Sequence, residues 1–172
     1  MSNPIRVLIV DDHPLMRQAI RTAIIVEPDL QIAGEASNGQ EAIERARALQ
    51  PDVTIMDLLM PGKDGLQAIT EIRAENPDAR IIVLTSLSEE EPVVAAINAG
   101  AQGYLLKDVQ RDDLLRAIRE VAQGNTFLPP AIARKLIDGI QQSKAKTQTT
   151  PVEPLTERER AVLKLIGQGA SN

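Results

Sequence analysis

Short apolar runs alternate with helix-periodic segments along most of this chain, and that alternation restricts its fold more than any other feature. The runs IRVLIV (5–10), VTIM (53–56), RIIVL (80–84) and GYLL (103–106) read as strands, and the weaker LQIAGEA (30–36) adds a fifth. They are near-continuously apolar rather than alternating, as expected of strands covered on both faces. Helical segments between successive strands require right-handed crossovers, so the predicted architecture is α/β: a five-stranded parallel sheet with helices on both faces. One Tyr, one Phe and no Trp make the core aliphatic.

The helices have their own signatures. Pro14 suits a first helical position, with Leu15, Ala19, Ile20, Ala23 and Ile24 expected on one face. Asn38 with Glu41 has capping-box spacing, and a third helix follows Gly65 with Leu66, Ile69 and Ile72. Lys63–Asp64–Gly65 reads as a turn with Gly65 at positive φ. The fourth helix opens at Ser88 with Glu91 and ends at Gly100, and the fifth spans Asp112 to Gln123 before Gly124.

Every group suited to phosphoryl chemistry lies at the C-terminal end of a predicted strand: Asp11 and Asp12, Asp57, Thr85, and Lys107. That edge of an open parallel sheet is where ligands bind. Three carboxylates in one pocket repel unless a cation joins them, which predicts a hard divalent ion, Mg²⁺ by default. Asp57, alone at its strand end, is the expected nucleophile, and the following MPGKDG turn can aim the Leu59 backbone carbonyl at the metal. Lys107 would offer a positive charge to one phosphoryl oxygen and Thr85 a hydroxyl to another. Met singly, each has a plainer explanation: solubilising carboxylates, an Asx turn, a surface lysine, a turn threonine. Their joint order at strand ends favours a site. His13, before Pro14, is read as helping to open the first helix rather than as a ligand or base. Tyr104 is expected to be an exposed or half-buried ring and a reporter of switching.

Composition narrows the function further. Residues 1–127 carry 20 acidic against 12 basic side chains (net −8), and 128–172 carry 4 against 7 (net +3). The acidic body suits a metal or protein partner, and the weakly basic tail is too small a signal to argue DNA binding. Without cysteine, disulfides, thiolate nucleophiles and cysteine-based zinc sites are excluded, and the single histidine rules out a histidine-rich metal site. No apolar run approaches the roughly 20 residues that span a bilayer, and the N-terminus lacks a signal-like pattern. The expectation is a cytoplasmic protein with no membrane partner.

Past Gly124 the pattern changes. Residues 129–142 can form a helix with Ile132, Leu136, Ile137 and Ile140 apolar, and 143–154 read as a flexible linker. Thr156 with Glu159 opens another capped helix carrying Val162, Leu163 and Ile166. Too short to bury its apolar face unaided, it is either a docking helix or, the favoured expectation, the start of an all-helical domain whose other helices lie beyond Asn172. The predicted organisation is a domain over 1–127, a linker helix and flexible linker over 128–154, and that fragment over 155–172.

On VDDHPLMR (10–17), IMDLLMPGKDG (55–65), VLTS (83–86) and GYLLKD (103–108), the chain resembles bacterial two-component response regulator receiver domains of the NarL/FixJ family. LTERERAVLKLIGQGASN (155–172) resembles the first part of that family's LuxR-type helix-turn-helix domain. The resemblance implies a flavodoxin-like receiver fold and phosphorylation of Asp57 by a sensor histidine kinase. It implies Mg²⁺ held by Asp11, Asp12, Asp57 and the Leu59 carbonyl, and phosphoryl sensing by Thr85, Lys107 and Tyr104. It further implies a homodimer on phosphorylation and promoter DNA as partner of the full-length protein only, since the recognition helix would lie beyond Asn172. Such a protein is not an enzyme. The alternative is a magnesium-dependent phosphohydrolase with an aspartyl-phosphate intermediate, for which the chain offers little length for a substrate-holding cap. A third reading, a phosphate-independent binding module, leaves the assembled chemical groups without a role.

Overall fold

A computed structural model describes residues 3–87, 89–146 and 162–164. In chain order the elements are β1 (Ile5–Val10), α1 (Pro14–Ile25), β2 (Leu30–Ala36), α2 (Gly39–Leu49), β3 (Val53–Met56) and α3 (Gly65–Glu75). There follow β4 (Ile81–Thr85), α4 (Glu90–Ala99), β5 (Gly103–Leu106), α5 (Arg111–Ala122) and α6 (Pro130–Lys146). All strand pairs are parallel and the order is β2-β1-β3-β4-β5. The predicted sheet is therefore present, with β4 starting and ending one residue later than expected.

Successive strand residues point to opposite faces, and the two cores record this period of two. Val7 and Ile9 of β1 pack with Ile20 and Ile24 of α1 and Leu114 and Ile118 of α5. Leu8 and Val10 face the other way, toward Ile43, Ile69, Val93, and Ile132 and Leu136 of α6. Each fully buried Leu or Ile contributes roughly 1.5–3 kcal/mol relative to leaving it in water.

Local rules set most element boundaries. Asp64 caps α3 in a reciprocal box with Gln67, so it ends the turn rather than belonging to its middle. The positive φ in that turn belongs to Gly62 (77°), and Gly65 is already helical. Gly65 is needed for another reason: a Cβ there would lie 2.0 Å from the Asp57 carbonyl oxygen. Asn38 accepts the Glu41 N–H, but the Glu41 carboxylate reaches Ser37 instead of completing the box. Gly100 ends α4 at φ 107° as expected, whereas Glu89 stands at its N-cap and Ser88 lies outside the described residues.

Two expectations are corrected, one about a helix face and one about a helix end. Leu15 is 80% exposed and Ala19 is also exposed, because only the stripe through Ile20 and Ile24 meets the sheet. Residues 143–146, expected to be linker, continue α6. Of the segment that follows, 147–161 and 165–172 lie outside the described residues, while 162–164 are helical with Val162 buried in the α4–α6 core.

The strand order positions the site. β1 is followed by β2 on one side and neighbours β3 on the other, so the connections leaving β1 and β3 diverge and open a crevice above their C-terminal ends. At the other edge the chain returns along β5: Tyr104 N–H donates to Phe127 O, and Phe127 N–H to Gln102 O. This covers the strand edge and delivers α6 onto α4, burying Ile132 and Leu136.

Candidate functional site: a carboxylate pocket with a lysine

Asp11 directly follows β1 and Asp57 directly follows β3, and the Asp57 N–H donates to Val10 O at 2.9 Å. Ladder-type bonding thus carries the two carboxylates to the same height in the crevice. Both are about 1% exposed. Burying two carboxylates is costly unless they are paired, and Lys107 pairs both: its Nζ lies 2.8 Å from Asp11 Oδ2 and 2.7 Å from Asp57 Oδ2. Lys107 is held in reach because its own N–H donates to Thr85 O. Burial pulls the Lys107 ammonium toward neutrality, but hydrogen bonds and charge from Asp11 and Asp57 outweigh it and hold its pKa above the ordinary lysine value.

Asp12 turns toward the same space with its side chain about a quarter exposed. Its Oδ1 is buried with no hydrogen-bond partner; His13 Nδ1 comes within 2.8 Å, yet the ring's aligned contact is Asp11 Oδ1 at 3.2 Å. One donor atom from each of Asp11, Asp12, His13 and Asp57 falls within 4.8 Å of the others. Three carboxylates and one lysine leave a formal charge of −2, and an orphaned buried carboxylate oxygen faces the cluster. Oxygen donors, charge and spacing fit a hard divalent cation. Leu59, half-exposed, donates its N–H to Asp57 Oδ1 at 3.2 Å and so lies against the same carboxylate.

A second group of predicted residues gathers at the β4–α4 connection. Thr85 is fully buried at the end of β4, and its Oγ1 accepts the Leu87 N–H at 3.4 Å. Tyr104 is not the exposed or half-buried ring expected: it has no exposed surface, and its hydroxyl donates to Leu87 O at 2.7 Å. It is enclosed because α4 and α6 roof the β4–β5 side of the sheet. Burial, with the negative charges of Glu89 and Asp57 adding to it, pushes the Tyr104 phenol up to about 12.

The structure adds three features to the sequence reading. His13 stands at the N-cap of α1 as expected, but its side chain makes no cap bond and turns to the carboxylates. Its adjacency to Asp12 was the available signal. Leu87, where Thr85 and Tyr104 converge, carries no chemical signature because only its backbone is used. A cavity of about 640 Å³ between α5 and the Phe127–Ile132 stretch was also unforeseen, and Asp11, Asp12 and Asp57 do not line it. Among the described residues, no helix is long and apolar enough to cross a membrane.

The family model for the response regulator receiver domain matches residues 7–119. The nitrate/nitrite response regulator NarL of Escherichia coli is 42% identical across all of this chain and 80% of its own length. A LuxR-family two-component response regulator from Aurantimonas is similar in structure, with a TM-score of 0.76 at 32% identity over 81% of this chain and 99% of that one. The isolated receiver domain of RcsB from Salmonella enterica, solved with the phosphate mimic BeF3⁻, gives a TM-score of 0.71 at 31% identity over 78% of this chain and 99% of that one.

Proposed function

Because this chain belongs to the response regulator receiver family, in its NarL and LuxR-type branch, we propose that it is a phosphorylation-controlled switch whose acceptor is Asp57. The observation carrying the proposal is the shared bonding of Lys107 to Asp11 and Asp57, which brings two buried carboxylates and one positive charge together in one crevice. Asp11, Asp12, Asp57 and the Leu59 carbonyl would hold Mg²⁺, which would supply charge neutralisation for the incoming phosphoryl oxygens.

An Asp57 carboxylate oxygen bonds to phosphorus as the phosphorus–nitrogen bond to the kinase's phosphohistidine breaks, and the leaving imidazole takes up a proton. Lys107 then exchanges a carboxylate partner for a phosphoryl oxygen, and the Thr85 hydroxyl donates to another. Drawing Thr85 inward disturbs its contact with Leu87, and the Tyr104 hydroxyl, bonded to the same residue, registers the change.

The partner is a sensor histidine kinase. Leu15 of α1, two residues beyond the N-cap beside the carboxylates and 80% exposed, supplies an apolar contact at the rim. Phosphorylation favours a homodimer, and promoter DNA is bound by the full-length protein in the cytoplasm. On this reading 1–127 is the receiver, 128–154 connects, and 155–172 begins the LuxR-type helix-turn-helix domain. A phosphohydrolase would hold an organic substrate beside its nucleophile, whereas the cavity of about 640 Å³ lies at α5 and is not lined by Asp57.

Incubation with acetyl phosphate and Mg²⁺ should add one phosphoryl group by intact mass. Asp57→Ala should abolish it; labelling of that variant at normal yield would move the acceptor elsewhere. Catalytic turnover of an aryl phosphate would favour the hydrolase.

A further inference from the structure

We infer that His13 contributes its Nδ1 as a further donor to the cation at Asp11, Asp12 and Asp57, biasing the site toward imidazole-accepting ions such as Mn²⁺ over Mg²⁺. The inference rests on the cation site proposed above and adds to it the determinant of metal choice.

The geometry is that of a coordination edge. An octahedral ion with bonds of about 2.1 Å places neighbouring donors about 3.0 Å apart and opposite donors about 4.2 Å apart. His13 Nδ1 lies 2.8 Å from Asp12 Oδ1 and 3.2 Å from Asp11 Oδ1, both close to that neighbouring-donor edge, while the four-residue donor set lies within 4.8 Å and would contract by a few tenths of an ångström around a bound ion. A hydrogen bond alone accounts for this less completely. One Nδ1 proton can serve one oxygen well, and Asp12 Oδ1 is left buried without a hydrogen-bond partner. A single cation satisfies the imidazole and both carboxylate oxygens together.

Lys107 does not compete for this position. It occupies Oδ2 of Asp11 and Oδ2 of Asp57, whereas His13 approaches Oδ1 of Asp11 and Oδ1 of Asp12. The imidazole is also pre-aimed. Pro14 keeps His13 extended (φ −87°, ψ 112°), and the His13 N–H is anchored on Asp11 Oδ1 at 2.8 Å. Little further ordering is required for Nδ1 to ligate. An oxygen-only pocket suits Mg²⁺, which keeps several waters, while a nitrogen donor raises affinity for Mn²⁺ and the later divalent ions far more than for Mg²⁺.

As the chain has one histidine, any imidazole signal belongs to His13. The test uses the whole chain at pH 8, with Mn²⁺ and Mg²⁺ titrated calorimetrically and bound Mn²⁺ examined by electron spin-echo envelope modulation. The wild type should show imidazole ¹⁴N coupling. His13→Asn, which keeps a good N-cap residue, should lose that coupling and weaken Mn²⁺ about tenfold while changing Mg²⁺ less than about twofold. Absent coupling in the wild type, equal weakening of both ions, or tighter binding of both would overturn the inference. Asp12→Ala separates the two levels: if it weakens both ions while His13→Asn changes neither, only the histidine assignment fails. Unchanged affinities in Asp12→Ala would remove the cation site itself.

Discussion

The ends of β1 and β3 and the connection between β4 and α4 lie in the same molecule but are built differently. At the first, the chain is tied by backbone bonds at the strand ends and the β3–α3 junction: Asp11 N–H to Ala36 O, Asp57 N–H to Val10 O, and Gly65 N–H to Leu58 O. The side chains there are buried and ion-paired. At the second, Leu87 is held by two side-chain bonds, from Tyr104 and to Thr85, on the way into a helix whose N-cap makes no side-chain bond. On the proposed function the contrast is a division of labour: phosphoryl chemistry would need groups fixed to fractions of an ångström, and a readout would need an element that a few hydrogen bonds can shift.

Breaking the rigid side should have the largest effect. In Gly65→Ala the new Cβ meets backbone on two sides, the Asp57 carbonyl oxygen at 2.0 Å and Leu58 Cα at 2.8 Å. Neither can yield as a side-chain tip would. Urea unfolding should show a loss of about 3 kcal/mol together with impaired labelling of Asp57; a loss under about 1 kcal/mol would show that the β3–α3 junction is looser than its bonds suggest.

Alkaline titration probes the readout side. Tyr104 is the only tyrosine, so phenolate absorbance reports it alone. Its folded pKa, raised to about 12 from an ordinary value near 10, means the folded state retains the proton more tightly. The stability from that retention is full below about pH 10 and is lost as pH rises through about 12. Lys107, also raised, loses its ion pairs in the same direction. A phenolate midpoint near 10 in the folded protein would contradict an enclosed ring.

Lys107→Ala tests whether the two regions communicate. Asp57 should still be labelled at a reduced yield, but amide shifts at Ser86 and Tyr104 on adding beryllofluoride should shrink severalfold. An undiminished response would take the lysine out of the coupling. The smallest effect is expected of Tyr104→Phe, which keeps the ring and removes one bond to Leu87 O. Stability should fall by about 1 kcal/mol, and amide exchange should quicken around residue 87 while that at Asp57 stays unchanged. Equal quickening at both would mean the regions are not mechanically distinct.

Much of this is legible in the residue order alone. Strands of four to seven residues and the helices between them follow from local periodicity, and the site residues from where those strands end. Asp11, Asp57, Thr85 and Lys107 could be placed at one sheet edge because parallel strands joined by helices must all end on the same side. What could not be read was the direction in which a given face is covered. Leu15 and Ile20 are equally apolar, yet only Ile20 meets the sheet.

Residue order alone determined a parallel α/β sheet, its two apolar faces and the grouping of carboxylates, hydroxyl and lysine at one edge. Tertiary structure decided that α6 roofs α4, that Tyr104 is thereby enclosed with its hydroxyl on Leu87, and that His13 turns toward Asp11 and Asp12. The physical reason is range. Periodicity and capping act within a few residues, so they set which face of an element is apolar. Burial and hydrogen-bond partners depend on segments brought together across the fold: Ile132 meets the α4 core from more than thirty residues downstream, and Lys107 pairs with Asp57 fifty residues away.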